Sequence, residues 1–465
     1  MRRHHQRTGR RLAVLDDDPT GSQAVHGVSV VTEPRRSAYA SGLARPGDTC
    51  FILTNSRALD QPRAVALNRT VARDLYTWAA EAGHSVELVS RGDSTLRGHA
   101  IAEVAAIAAE RLAVTGAEPD GVLFCPAMLE AGRYTVADTH LAVVGGTPVP
   151  VGRTEFARDA TFGYTSSNLR EFLVERSGGG LAIDDIASLS LDDIRRGGPE
   201  RVGQILSTVS GARWVVVNAT DPADLEVVVL GLHRAQDAGR AFLVRSGPSL
   251  VRALAGIEPR PPLAADDLRV DDSRSAHGLV VAGSHVALTT RQLRVLQECG
   301  GLTTVELEVP ALLDPASAGA HLDAATGCVV EALGHTDVLV RTSRDLVTAD
   351  RPAANLDIAR TVSAALVSVV RRARRARPAW IIAKGGITGH DLARRALGIR
   401  RAIVVGQFLP GQISLFDPVE APPDVITCPY VVFPGNVGAD DALALVRDRL
   451  VAATAARGLD RRPAE

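Results

Sequence analysis

The chemistry-bearing residues of this chain gather in short loops, each following an apolar run. Leu12-Ala13-Val14-Leu15 leads straight into Asp16-Asp17-Asp18-Pro19-Thr20-Gly21-Ser22-Gln23. Three adjacent carboxylates repel one another and are costly to gather unless a cation or sugar hydroxyls use them. Thr20, Gly21 and Ser22 add hydroxyls and backbone donors. An acidic helix cap needs one Asp, not three, so the loop reads as functional. A second loop, Ser90-Arg91-Gly92-Asp93-Ser94-Thr95-Leu96-Arg97-Gly98-His99, follows Val86 to Val89. Arg offers a two-pronged fork to a carboxylate, and Asp with hydroxyl side chains suits a polyol. Two further runs end in similar chemistry. Phe51-Ile52-Leu53 leads to Thr54-Asn55-Ser56-Arg57, and Gly121 to Phe124 opens towards Gly132-Arg133-Tyr134-Thr135. Together these loops suit a small, acidic, hydroxylated ligand.

The second half carries a different set. Trp380 to Ala383 breaks into Lys384-Gly385-Gly386, then Thr388-Gly389, then a helical pattern from Asp391. Strand, glycine turn and helix together hold phosphate, because backbone N–H groups face the anion. Lys384 is the only lysine in the chain, and a compact ammonium suits phosphate as a point charge. The alternative is a plain strand–helix turn with an incidental Lys. Gly283-Ser284-His285 and Pro434-Gly435-Asn436-Val437-Gly438 also follow apolar runs, which favours phosphate; whether Lys384 or the glycine backbone holds it stays open. Neither GxxxxGK[ST] nor GxGxxG occurs, which disfavours a P-loop enzyme, a protein kinase and a dinucleotide oxidoreductase. No G-x-S-x-G elbow supports a hydrolase. His26, His99 and His140 lack metal-ligand spacing and read as structural or surface residues. The run Arg371-Arg372-Ala373-Arg374-Arg375 reads as a solvated helix end.

The elements that must position these loops are short strands alternating with helical segments, the mark of parallel, doubly wound sheets. Strands are expected at the runs already named and at 28–31, 214–217, 242–244, 278–282, 338–340, 401–406 and 431–433. Helices are expected over 62–83, 191–209, 353–374 and 440–450. Segments 155–159 and 164–169 read as an ordered excursion, a candidate lid. Residues 257–276, rich in Pro, Asp and Arg, read as a linker. The fold class is α/β, with two domains, each a mainly parallel sheet flanked by helices, and an active-site cleft between them. The divisions are a disordered basic tail over 1–11, a substrate-binding domain over 12–256, the linker, a nucleotide-binding domain over 277–455 and a disordered tail over 456–465. A chain of 465 residues allows this, and 46% hydrophobic content can fill both cores. A net charge of −1 argues against a general nucleic-acid or membrane-surface binder. Five scattered cysteines without CxxC spacing read as reduced cytoplasmic thiols. No apolar run is long enough to span a membrane.

An acidic, hydroxylated ligand in one domain and phosphate in the other suggest phosphoryl transfer. Asp17 or Asp18 would be the base or a magnesium ligand; the sequence does not separate the roles. Taken in order, DDDPTGSQ, TNSRAL, SRGDSTLRGH, GRYTVADTH, VAGS, KGGITGHDLA and PGNVGADDAL resemble the four-carbon acid sugar kinase family, from about Leu12 to Leu450. The resemblance implies ATP-dependent phosphorylation, with Mg2+, of a terminal hydroxyl on a tetronate such as threonate, erythronate or 3-oxo-tetronate. Carried over by position, acid contacts fall on Asp17, Asp18, Arg57, Arg91, Asp93, Ser94, Arg97 and the Gly132-Arg133 turn. Nucleotide contacts fall on Ser284, the Lys384-Gly385-Gly386 to Thr388 turn, Gly406 and the Gly435-Asn436 to Gly438 turn. Gly389-His390 stands where members commonly place Ser, and Pro19 where they place an apolar residue, which leaves the particular substrate open. A non-catalytic protein that kept both pockets is the other reading. The expected partners are the sugar acid and ATP, with no nucleic acid and no membrane; a homodimer is compatible with either reading.

Overall fold

The computed structural model describes residues 1–18, 24–344, 347 and 352–456, with 352–356 as backbone only. The chain divides into two units, Met1–Pro259 and Arg260–Glu465.

The first unit contains β1 (Arg10–Asp16), β2 (Ser29–Val31), β3 (Thr49–Leu53), β4 (Ser85–Arg91), β5 (Gly121–Cys125), β6 (Arg133–Val136), β7 (Thr139–Val144), β8 (Thr147–Pro150), β9 (Ala187–Leu189), β10 (Arg213–Val217) and β11 (Phe242–Ser246). The main sheet runs β2-β3-β1-β4-β11-β5-β10-β9, with parallel pairing throughout. Helices cover both faces of such a sheet, so its strands are continuous apolar runs; β3 and β5 are buried along their whole length. The helix Gln61–Ala82 is set by local signals. Asp60 accepts the Arg63 N–H, Pro62 occupies the first turn, and Gly83 ends it at φ 63°. Register then fixes the site. Asp16 lies opposite Leu53 and Arg91, and Ser246 opposite Arg91 and Cys125. The loops after β1, β3, β4, β5 and β11 therefore open along one sheet edge, where open α/β sheets bind ligands.

Three sequence expectations change here. The basic tail over 1–11 is not disordered: Arg2–Thr8 is a helix, and buried His5 places Nε2 3.0 Å from His233 Nε2. The GRYTVADTH stretch is part of a separate antiparallel sheet, β6-β7-β8, whose hairpin turns at Ala137-Asp138 and Gly145-Gly146 take positive φ. The candidate lid is docked: Tyr164 is buried and donates its hydroxyl to the Thr95 carbonyl at 2.7 Å.

The second unit contains β12 (Leu279–Ala282), β13 (Leu302–Leu307), β14 (Asp337–Thr342), β15 (Ile381–Lys384), β16 (Arg401–Leu409), β17 (Gln412–Glu420) and β18 (Tyr430–Phe433). Its order is β13-β14-β12-β15-β18-β17-β16, parallel from β13 to β18 and antiparallel at β17 and β16. Gly278 leaves room for buried Trp380, since a Cβ there would sit 2.1 Å from the indole. Residues 260–276 are not a free linker. Leu263 is fully buried and bonds the Gln407 carbonyl at 2.7 Å, and Arg274 is buried against the carbonyls of Pro378, Asp424 and Ile426. The last helix runs Ala442–Ala456, and 457–465 lie outside the described residues. Among the described residues no helix is long and apolar enough to cross a membrane, and all five cysteines are free thiols.

Candidate active site

In the first unit, Asp16 ends β1 and is fully buried. It receives Arg91 Nη1 at 2.9 Å and the Asp18 N–H at 3.1 Å. Arg91 is itself buried, and its carbonyl accepts the Asp17 N–H at 3.1 Å. Arg91, expected to meet substrate, is thus an internal strut of the loop. Asp17 is 2% exposed, yet among the described residues neither carboxylate oxygen has a hydrogen-bond donor. Its nearest cations stand off: Arg57 Nη1 at 3.9 Å and Arg245 Nη2 at 3.6 Å. Burial pushes the Asp17 carboxyl up to about 6, against the pull of Arg57 and Arg245. Asp18 is more exposed and pairs directly with Arg57. Thr20 lies outside the described residues.

Asp93 takes Arg97 Nε at 2.7 Å, Arg57 Nη1 at 3.6 Å and the Thr95 hydroxyl. Burial alone would raise it, but the two guanidiniums outweigh burial and hold it well below the usual carboxylate range. Ser94 is buried under this loop, its hydroxyl on Met128 Sδ and its carbonyl on His140 Nε2 at 2.8 Å. It is therefore a scaffold residue. His140 is fully buried, and burial pushes its imidazole down to about 4, so it stays neutral. Arg133 follows Gly132, a left-handed turn at φ 68°. It has no ion-pair partner among the described residues, and burial lowers its pKa. Both Arg97 and Arg133 lie over the Phe156 ring, at 5.4 and 5.8 Å from its centroid. A half-buried guanidinium without a carboxylate is the natural seat for a ligand's own carboxylate.

Two functional candidates were not singled out from the sequence. Arg245 at the end of β11 reaches Asp17, and Glu103 on the helix Ala100–Thr115 binds Arg245 at 2.6 Å. The apolar run Phe242-Leu243-Val244 followed by Arg245-Ser246-Gly247 carries the same strand-end signal as the other loops, whereas nothing in the pattern distinguishes Glu103 from an ordinary helix residue.

In the second unit, a cavity of about 590 Å³ has an apolar wall that includes Val286, Val309, Val362 and Leu366. Its floor is Gly283-Ser284, Gly385-Gly386, Thr388 and Gly435-Asn436. Three strand ends meet there without side chains. A Cβ on Gly283 would lie 2.7 Å from Thr388 Oγ1, one on Gly435 2.8 Å from Ser284 Oγ, and one on Gly385 3.2 Å from both Ser284 Cβ and Thr388 Oγ1. Gly385 also takes φ 118°, which only glycine adopts without strain. The Gly385 N–H bonds the Phe433 carbonyl at 2.8 Å, and Thr289 Oγ1 bonds the Gly435 carbonyl at 3.0 Å. An apolar wall over a glycine cradle fits a nucleoside base with its phosphates beneath.

Lys384 is not part of that lining. It is fully buried, and Nζ donates to the Pro434 carbonyl at 2.7 Å and lies 3.9 Å from the Phe433 ring centroid. Burial pushes its pKa down to about 7. Gly406 and Gly438 also fall outside the cavity. Gly406 clears Leu263, which a Cβ would approach to 3.0 Å, and Gly438, at φ 85°, clears Ala442. Among the described residues no cluster of three or more His, Cys, Asp or Glu side chains has metal-holding geometry. Mg2+ fits here as an ion brought with a nucleotide and held largely by its phosphates.

Two family models match this architecture: a sugar-binding N-terminal domain over residues 12–254 and a nucleotide-binding C-terminal domain over 279–443. The chain belongs to the four-carbon acid sugar kinase family. It is 25% identical over 410 residues to a D-erythronate kinase of Heliobacterium modesticaldum, covering 86% of this chain and 83% of that one. Among solved structures it is similar to a Haemophilus influenzae protein of family DUF1537, with TM-score 0.63, 17% identity, and 94% of this chain and 99% of that one covered. A Salmonella typhimurium LT2 protein named as a candidate tRNA synthase gives TM-score 0.67 at 15% identity, covering 94% and 98%. At such identities these two likenesses establish the fold alone.

Proposed function

We propose that this chain is an ATP-dependent kinase that phosphorylates a terminal hydroxyl of a four-carbon sugar acid of the erythronate or threonate type. The observation that carries the reading is Asp17, a buried carboxylate whose oxygens have no hydrogen-bond donor among the described residues, set among arginines in the sugar-binding unit. Arg133 takes the acid's carboxylate, with Arg97 beside it. Asp17 accepts the proton of the attacking hydroxyl as its oxygen bonds the γ-phosphorus and the bond to the ADP oxygen breaks. Asp18, paired with Arg57, shapes the loop. The glycine cradle holds the nucleotide's phosphates by backbone N–H groups, and the apolar wall holds the base. Mg2+, bound with the nucleotide, supplies charge neutralisation at the phosphates.

The test is ADP release in a coupled assay over a panel of four-carbon acids, with calorimetric ATP binding alongside. Turnover of at least one acid, lost in Asp17→Asn, supports the proposal. Thermal shifts by acid and ATP without turnover, unchanged in Asp17→Asn, identify a non-catalytic binder instead.

A further inference from the structure

Arg245 lies next to Asp17, Glu103 lies next to Arg245, and both are buried. Arg245 sits on β11, opposite Ser90 of β4 and Phe124 of β5, and is 3% exposed. Its Nη1 donates to Glu103 Oε2 at 2.6 Å and to Ser90 Oγ at 2.7 Å, while Nη2 stands 3.6 Å from Asp17 Oδ2. Glu103 is 1% exposed and also receives the Ser56 hydroxyl and, at 3.4 Å, Asn68 Nδ2. Two glycines make the arrangement possible. A Cβ on Gly92 would lie 2.1 Å from Arg245 Nη2, and one on Gly98 would lie 3.0 Å from Asp17 Oδ2. The guanidinium is thus bonded to Glu103 and Ser90 and only faces Asp17.

We propose that Arg245 is a positioning residue that holds Asp17 in its working place, and that Glu103 is the anchor that aims it. The reason lies in the spacing. A guanidinium in hydrogen-bond contact would occupy the lone pairs that a base must keep open. At 3.6 Å it steers the carboxylate by charge alone and leaves both oxygens for a substrate proton. The other charged groups acting on Asp17 are Arg57, Glu103 itself, whose negative charge opposes the carboxylate, and Arg91; each of the two arginines has its own carboxylate in Asp18 or Asp16. Arg245 is the one whose partner comes from a helix outside the aspartate loop.

The inference rests on Asp17 as the base, so Asp17→Asn is measured in parallel with Arg245→Met, Arg245→Lys and the double variant Arg245→Met/Glu103→Gln. Removing Arg245 alone strands a buried Glu103 and lowers the melting temperature; the double variant neutralises both and restores it. The expected result is that kcat falls about tenfold or more in Arg245→Met. It stays low in the double variant, the KM for the acid changes little, and Arg245→Lys recovers part of the rate. Recovery of kcat together with melting temperature in the double variant would reduce Arg245 to a counter-charge for Glu103. A rise in KM with kcat unchanged would make it a substrate ligand. If Asp17→Asn keeps its turnover, the base assignment itself fails; if Asp17→Asn is inactive while Arg245→Met keeps kcat, only this inference fails.

Discussion

Replacing Asp17 by Asn keeps the shape of the side chain and removes its charge, and the structure gives opposite signs for the effects on stability and on rate. Asp17 is buried, its oxygens accept no hydrogen bond, and burial moves its carboxyl from 3.8 to about 6. A tenfold change in a proton-binding constant is worth about 1.4 kcal/mol, so holding Asp17 ionised in the folded state costs about 3 kcal/mol at pH 8. A carboxyl raised on folding contributes stability that is complete below the unfolded value, near 4, and is lost as pH climbs through 6. The amide has no such dependence. Its neighbours are not stranded by the change, because Arg57 keeps Asp18 and Asp93, and Arg245 keeps Glu103. Asp17→Asn is therefore expected to exceed the parent protein by only about 1 kcal/mol at pH 4.5 and by up to about 3 kcal/mol at pH 8, the latter about 6–12 °C in the melting temperature of a unit this size. Over the same range kcat falls by about 10²–10⁴. In the parent, kcat/KM declines below pH 6 as Asp17 takes up a proton. Differential scanning calorimetry at pH 4.5, 6 and 8, with the coupled assay at each pH, measures both. A variant less stable at pH 8, or a stability difference that ignores pH, would show that the guanidiniums stabilise the carboxylate more than burial disfavours it.

Lys384→Met leaves the Pro434 carbonyl without its buried donor and is expected to cost about 1–3 kcal/mol of stability. Because Lys384 does not line the cavity, nucleotide affinity by calorimetry should weaken less than about tenfold; a much larger loss with an unchanged melting temperature would mean that the ammonium touches phosphate. Arg133→Met removes a guanidinium that makes no close ion pair among the described residues, Asp93 acting on it only at longer range, so the KM for the acid should rise by about tenfold or more while ATP affinity holds. An unaltered KM would move the carboxylate seat elsewhere.

The location of the site was legible in the sequence, because the signals are local. An apolar run followed by Asp, Arg and hydroxyls marks a strand end, and parallel register then lines up several such ends on one edge. What each cation does there was not legible. Arg91 and Arg97 occupy one loop, yet Arg91 is bound to Asp16 and Arg97 to Asp93, and Arg133 is left without a carboxylate. The pairings of Arg91 with Asp16 and of Arg245 with Glu103 join residues far apart in the chain, and no spacing rule encodes them. Strands were missed for similar reasons. β13 is a half-exposed edge strand, and β17 carries Asp417 and Pro418, residues depleted from strands.

The glycines of the second unit show the same division between position and role. Gly385, Gly406, Gly435 and Gly438 all follow or end apolar runs, and the family resemblance gives all four to the nucleotide. Their surroundings separate them. Gly385 faces Ser284 and Thr388, and Gly435 faces Ser284, at the cavity floor, so a side chain on either would intrude on the cavity proposed for the phosphates. Gly406 faces Leu263, and Gly438 faces Ala442, so a side chain on those two would disturb packing and leave the cradle open. Lys384 belongs with this second group. It secures the turn that carries Gly435, and on the proposed function the cradle would hold anions by backbone N–H groups rather than by the chain's single ammonium.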